Sequence, residues 1–154
     1  LEIKKKTDGT PVLKKRICGN RFEGTNIYKR GEYYYLFASI GTCCNGATST
    51  YQTVVGRSKN VLGPYLDKTG RDMLYDYCEI IMSGNETWAG PGHNSILIQD
   101  DVGTDWIIYH GYKKKEAENG RYVLMDKLIW SNDGWPSVKS NAPSILEVAP
   151  YFQK

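Results

Sequence analysis

The sequence predicts an all-β protein built from repeated antiparallel sheets, and three observations predict it. The composition suits pleated surfaces: 12 Tyr and 4 Trp accompany many Val, Ile and Thr, while 16 Gly and 6 Pro supply turns. Helix-forming runs are nearly absent. A unit of strand, hairpin, strand, loop, strand and turn occurs twice, the copies about 70 residues apart as measured from Glu23 to His93 at the entry to each first strand. With 154 residues the chain is long enough for one ordinary domain and one core.

Taken in order, Thr7 to Pro11 reads as a turn and Val12 to Ile17 as a short extended piece. Thr25 to Lys29 and Tyr33 to Ile40 read as two strands joined by Arg30-Gly31-Glu32, a hairpin connection with the glycine such turns need. A small polar loop, Gly41 to Thr50, leads into a strand over Tyr51 to Ser58, and Asn60 to Pro64 is a turn. Tyr65 to Ser83 is a long connection with a short strand near Glu79 to Met82. The pattern then restarts. Trp88 to His93 leads into a strand over Asn94 to Gln99, Asp100 to Gly103 turns into a strand over Trp106 to Tyr112, and a charged loop leads to a strand over Tyr122 to Trp130. Ser131 to Pro136 closes a hairpin onto an edge strand at Ser137 and Val138, with Trp135 as its packing anchor.

Repeated antiparallel sheets without intervening helices suggest β-propeller blades, one over about residues 20–66 and one over about 88–139, with closing segments at 1–19 and 140–154. The first strand of a blade lies nearest the central axis, so Glu23 and His93 are expected to converge at one mouth. Two blades do not close a ring, because each must bury its faces against two neighbours. The chain therefore reads as about half a propeller.

The net charge of +3 is spread in short groups beside turns and termini, and no basic face interleaved with stacking aromatics appears, so a nucleic-acid partner is not expected. No apolar run approaches the ~20 residues of a membrane span. Leu1 to Lys6 has neither an initiator Met nor a signal-peptide core, and reads as the start of a cleaved or subcloned piece of a larger protein. Asn85-Glu86-Thr87 is a glycosylation acceptor sequence, and the localisation reads as extracellular. Cys18, Cys43, Cys44 and Cys78 have neither zinc-ligand nor redox-motif spacing; a strained Cys43–Cys44 bridge and small buried hydrophobes are both open readings.

Chemistry concentrates at Phe22-Glu23-Gly24. A carboxylate between an aromatic residue and a glycine, just before a buried strand, is placed for partial desolvation, which lets it hold a proton at neutral pH as a general acid does. Phe22-Glu23-Gly24, Gly31 to Phe37, Cys43-Cys44-Asn45-Gly46 with Ser49-Thr50-Tyr51, Val55 to Ser58, Gly63-Pro64, Gly90-Pro91-Gly92-His93, Tyr109-His110 and Gly134-Trp135-Pro136 follow one another in that order. Together they resemble the C-terminal half of glycoside hydrolase family 43, and the two-cysteine loop followed by Ser-Thr-Tyr is most similar to its endo-α-1,5-L-arabinanases.

The resemblance implies a five-bladed β-propeller, of which this chain supplies two to three blades, hydrolysing arabinan with inversion. Glu23 matches the general acid. His93 matches a position associated with a calcium or similar ion held largely through water, since one imidazole cannot satisfy an ion that prefers several oxygens. Phe22, Tyr51 and Trp88 are candidates for a wall that stacks on furanose rings, and Arg121 and Arg57 for contacts to substrate hydroxyls or to carboxylates of neighbouring blades. His110 is expected to be structural. The base Asp and the pKa-tuning Asp belong to the family's N-terminal blades. Asp67, Asp72 and Asp76 lie in the long connection and Asp100, Asp101 and Asp133 in turns, so an N-terminal half is the expected partner for activity. The alternatives are a non-catalytic half-propeller that binds carbohydrate or self-associates, and a family member acting as an α-L-arabinofuranosidase or β-xylosidase.

Overall fold

The computed structural model describes residue 8 and residues 15–153. Most of the turn expected over Thr7 to Pro11 and of the extended piece expected over Val12 to Ile17 lies outside the described residues, and residues 15–17 belong to no strand. The first sheet has four antiparallel strands in sequential order: β1 (Glu23–Arg30), β2 (Tyr33–Ile40), β3 (Gln52–Ser58) and β4 (Glu79–Met82). In the second sheet β5 (Trp88–Gly92) and β6 (Ile98–Gln99) both pair with β7 (Asp105–Lys113), whose other edge carries β8 (Arg121–Lys127). A small hairpin of β9 (Ile129–Trp130) and β10 (Pro136–Ser137) completes the strands.

The strand β2 shows how the core is built. Its residues from Tyr35 to Ile40 are all buried, because both faces of this central strand are covered. Tyr35 and Phe37 point into a cluster shared with Val55, Ile81, Leu97, Ile107, Tyr109, Leu128 and Trp135, which joins the two sheets. Leu36, Ala38 and Ile40 point the other way, onto Phe22, Val54, Tyr65 and Met73, where the long connection folds back over the first sheet. The period-two alternation thus divides one strand between two cores.

The second unit starts differently from the sequence expectation. Trp88 to Gly92 is itself a strand, and the expected strand over Asn94 to Gln99 is reduced to Ile98–Gln99. Pro91 is tolerated there because β5 lies on the sheet edge. The entry of β5 has a counterpart in β1. In the first sheet the pairing steps from Glu23 opposite Ser39 to Asn26 opposite Phe37. In the second it steps from Ala89 opposite Tyr112 to Gly92 opposite His110, and beyond it the Ser95 N–H donates to the Ile108 carbonyl, 2.8 Å away. Each step is a one-residue bulge, and each has a residue with positive φ just after the first pair, Gly24 (55°) and Gly90 (61°).

Buried carboxylates fasten the strands. Asp105 accepts from Tyr28 Oη (2.7 Å), Trp130 Nε1 (2.7 Å) and Gln99 Nε2 (3.1 Å), tying β1, β6 and β9 to β7. Asp100 accepts from Trp106 Nε1 and from the backbone of Val102, Thr104 and Tyr151, which anchors the C-terminal segment. Cys43 and Cys44 are joined to each other, while Cys18 and Cys78 are free and pack against the second core. In the expected glycosylation sequence, Asn85 Nδ2 donates to the Pro143 carbonyl and Oδ1 accepts from the N–H groups of Thr87 and Trp88. This side chain shapes a turn, and its nitrogen is engaged. No helix among the described residues is long and apolar enough to cross a membrane.

Phe37 is fully buried between the sheets. Phe37→Ala is expected to lower unfolding free energy by about 3–5 kcal/mol, read from urea denaturation. Burial pushes the Asp100 carboxyl up, but its hydrogen bonds from Trp106, Thr104, Tyr151 and Val102 outweigh that and hold it below its ordinary value of 3.8. A carboxylate depressed in the folded state stabilises above its unfolded value and loses that contribution as pH falls through the folded one. The difference in urea midpoint between the native chain and Asp100→Asn is thus expected to be full at pH 6 and to shrink below about pH 4.

Candidate active site

One end of the two sheets gathers the chemistry. Glu23 opens β1 beside Ser39 near the end of β2, Tyr51 immediately precedes β3, and Gly92 lies opposite His110. At this end Tyr51 Oη donates to Glu23 Oε2 at 3.0 Å. The Tyr51 ring, 1% exposed, is stacked on His110 with centroids 6.0 Å apart, and His110 lies 6.1 Å from the His93 ring. Arg121 Nη1 is 3.4 Å from His110 Nε2. The His93 N–H donates to the buried Ser39 Oγ at 2.7 Å, and the His93 ring packs on Gly24, where a β-carbon would come within 3.0 Å of it.

Two sequence motifs fit each other here. A β-carbon on Gly90 would lie 2.6 Å from Ser49 Cβ, and one on Gly92 would lie 2.4 Å from the Tyr51 ring. Ser49-Thr50-Tyr51 therefore seats in a groove that only glycine leaves open in Gly90-Pro91-Gly92. Thr53 Oγ1 adds a hydrogen bond to the Pro91 carbonyl at 3.3 Å. Ser49 Oγ in turn accepts from the Asn45 N–H and donates to the Cys43 carbonyl, so the two-cysteine loop is held at the same end as Glu23.

Electrostatics assign protons at this end. Burial first, and then the hydrogen bond to Glu23, push Tyr51 up to about 12, so the phenol is a lasting donor at neutral pH. Burial, followed by the charges of Arg121 and His93, pushes His110 below its ordinary value. Glu23 itself is exposed. The desolvation expected from its aromatic and glycine neighbours is not provided by the described residues.

Glu23, Tyr51, His93 and Arg121 are brought together. Phe22 and Trp88 are not part of the cluster: Phe22 (8% exposed) belongs to the second core, and Trp88 (9% exposed) packs edge-on against Tyr122. Tyr51 is equally enclosed, its ring faces taken by Gly92 and His110. Arg57 lies at the far end of the first sheet, its guanidinium 4.5 Å from the Tyr33 ring centre and 4.4 Å from that of Trp135, and Nη1 donates to the Asp133 carbonyl. It rivets sheet to hairpin. His110, read from sequence as structural, is the residue that links Tyr51 to Arg121. The available signal was the pairing arithmetic: counting back from the Asp100–Thr104 turn along both strands places His110 opposite Asn94, next to His93, and the structure shifts it two residues further, to Gly92.

Among the described residues no group of three or more His, Cys, Asp or Glu is arranged to hold a metal ion. His93 stands at the surface, and the buried Oδ1 atoms of Asn26 and Asn94 accept no hydrogen bond from the described residues. Asn26 Nδ2 donates to the Asn94 carbonyl, which places these two amides together next to His93. Such a donor set fits a cation held through water and does not fit a directly chelated one. The other buried carboxylates, Asp67, Asp100, Asp105 and Asp126, are bonded to partners outside the Glu23 cluster.

An exposed carboxyl with one oxygen held by a phenol thus stands at the shared end of two antiparallel sheets. The chain belongs to the glycosyl hydrolases family 43, whose model matches residues 2–136. It is 45% identical over 118 residues to an extracellular exo-α-(1→5)-L-arabinofuranosidase of Cellvibrio japonicus, covering 77% of this chain and 33% of that protein. It is 41% identical over 120 residues to an extracellular endo-α-(1→5)-L-arabinanase of Bacillus subtilis, covering 77% of this chain and 35% of that one. The chain thus spans about a third of the length of these curated relatives. Among solved structures, an exo-1,5-α-L-arabinanase from a bovine ruminal metagenomic library superposes with a TM-score of 0.77 at 35% identity, over 89% of this chain and 48% of that one. A family 43 endo-arabinanase of Bacillus licheniformis gives 0.74 at 34% identity, over 86% and 46%.

In Arg121→Gln, with a repelling charge removed, His110 is expected to titrate at higher pH than in the native chain. The measurement is the pH dependence of its imidazole NMR signals, and an unchanged curve would count against the Arg121–His110 coupling.

Proposed function

We propose that this chain is the acid-bearing part of a secreted arabinan-degrading glycosidase, completed by an N-terminal part of the same propeller. The single observation that carries the reading is the Glu23 carboxyl, solvent-facing and fixed through Oε2 by Tyr51, in a chain of this family. Glu23 gives its proton to the glycosidic oxygen as the bond from that oxygen to the anomeric carbon breaks. Water adds to that carbon from the opposite face, and its proton passes to a second carboxylate. That carboxylate, and an Asp that tunes the acid, come from the N-terminal part, since the described residues place no other carboxylate in the Glu23 cluster. The substrate is α-1,5-linked arabinan, and the complete architecture is a five-bladed propeller with the two sheets as neighbouring blades.

His93 would offer an imidazole nitrogen to a calcium or similar ion, with water supplying the remaining ligands and the Asn26 and Asn94 oxygens nearby. When bound, the ion supplies positive charge near the developing anionic leaving group. Arg121, exposed beside His110, is placed to hydrogen-bond sugar hydroxyls. The extracellular naming of both relatives supports secretion. Exo action is the second reading, favoured by the Cellvibrio relative's name and 45% identity. It gives short products of uniform length, whereas endo action gives a ladder.

The test is a chimera in which this chain replaces the matching third of the Cellvibrio enzyme, assayed on linear arabinan. The chimera is expected to hydrolyse arabinan, and Glu23→Gln to lower kcat by about 10²–10⁴-fold. A folded but inactive chimera, or a Glu23→Gln variant of unchanged rate, overturns the reading.

A further inference from the structure

The hydrogen bonds of Glu23 are asymmetric. Oε2 accepts from Tyr51, while Oε1 accepts from none of the described residues. Tyr51 itself has almost no freedom. Its ring is trapped between the face of His110 and the bare backbone of Gly92, it is 1% exposed, and Ser49, two residues earlier, is seated against Gly90. A phenol held this firmly fixes the position of whatever its hydroxyl binds.

We propose that Tyr51 is the positioning residue of the general acid: it holds Oε2 as the accepting oxygen, so that Oε1 carries the transferable proton toward the saccharide. This replaces the stacking role expected for Tyr51 and rests on the assignment of Glu23 as the acid. The Gly90-Pro91-Gly92 segment then acts at one remove, as the floor that sets the height of the Tyr51 ring. An exposed glutamate otherwise samples several rotamers, and confining it to one geometry serves proton transfer, whose rate depends on alignment at hydrogen-bond distance. The phenol keeps its own proton throughout, and the carboxyl loses one to the leaving oxygen and regains one from water.

The experiment uses the active chimera with two substrates: linear arabinan, and an α-1,5-arabinobioside with a dinitrophenyl leaving group that departs without protonation. Tyr51→Phe keeps the packed ring and removes only the hydroxyl. It is expected to lower kcat on arabinan about tenfold, with KM within about twofold, and to change the rate on the activated substrate by less than about threefold. Gly92→Ala, which must displace the ring, is expected to show the same substrate-dependent loss. Equal losses on both substrates mean a general distortion and overturn the proposal, as does a Tyr51→Phe variant of native rate on arabinan. Glu23→Gln distinguishes the two levels. If it spares arabinan hydrolysis, the acid assignment itself fails; if it abolishes hydrolysis while Tyr51→Phe is silent, only the positioning role fails.

Discussion

The contact on which the site depends is the face of Tyr51 lying on the backbone of Gly92. It is a contact between sheets, because Tyr51 enters β3 of the first and Gly92 ends β5 of the second. The apolar cluster of Tyr35, Phe37, Ile107 and Tyr109 holds the sheets together, but apolar packing alone leaves their mutual height only loosely specified. At the chemical end that height is set by a gap too small for a β-carbon. Glu23, His93, His110 and Arg121 take their places around it.

Seen this way, the two motifs are one device. Ser49-Thr50-Tyr51 is a projection and Gly90-Pro91-Gly92 its socket, and each explains a composition that is odd in isolation. A strand containing two glycines and a proline is a poor strand by propensity. It persists because an edge position excuses the proline and because the projecting loop needs the missing side chains. The bulges that follow Glu23 and Ala89 each insert one residue and bend the strand at the end where the two sheets meet around Tyr51.

Much of this was legible in the sequence because the signals are local. Alternation and turn glycines place β1 to β4 within a residue or two, and β2, with apolar residues on both faces, reads as a central strand. What escaped depends on contacts between segments far apart in the chain. Trp88 to Gly92 looks like a loop from its glycines and proline, and only Tyr51, some 40 residues earlier, shows why it is extended. Phe22, Tyr51 and Trp88 carry the chemistry of sugar-stacking rings, yet sequence does not tell an aromatic facing a cleft from one in a core. His110 reads as structural because its partners, Tyr51 and Arg121, come from different strands. The Cys43–Cys44 pairing was undecided for the same reason: spacing permits it, and neighbours determine it.

The exposure of Glu23 then acquires a physical meaning. β1 is an edge strand with Glu23, Thr25, Ile27 and Lys29 turned outward, while most of β2 and β3 is buried. A general acid needs low-dielectric surroundings to keep its proton at neutral pH, and an open strand end does not supply them. In this chain Glu23 is held by Tyr51 but stands open to solvent. Under the proposed reading, positioning comes from Tyr51, within the chain's own two sheets, whereas desolvation requires surfaces that cover the outer side of β1. That reading assigns the two requirements for general acid catalysis to different parts of the polypeptide. That division follows from the propeller geometry proposed above, in which the innermost strand of each blade is finished only by the blades that face it across the axis.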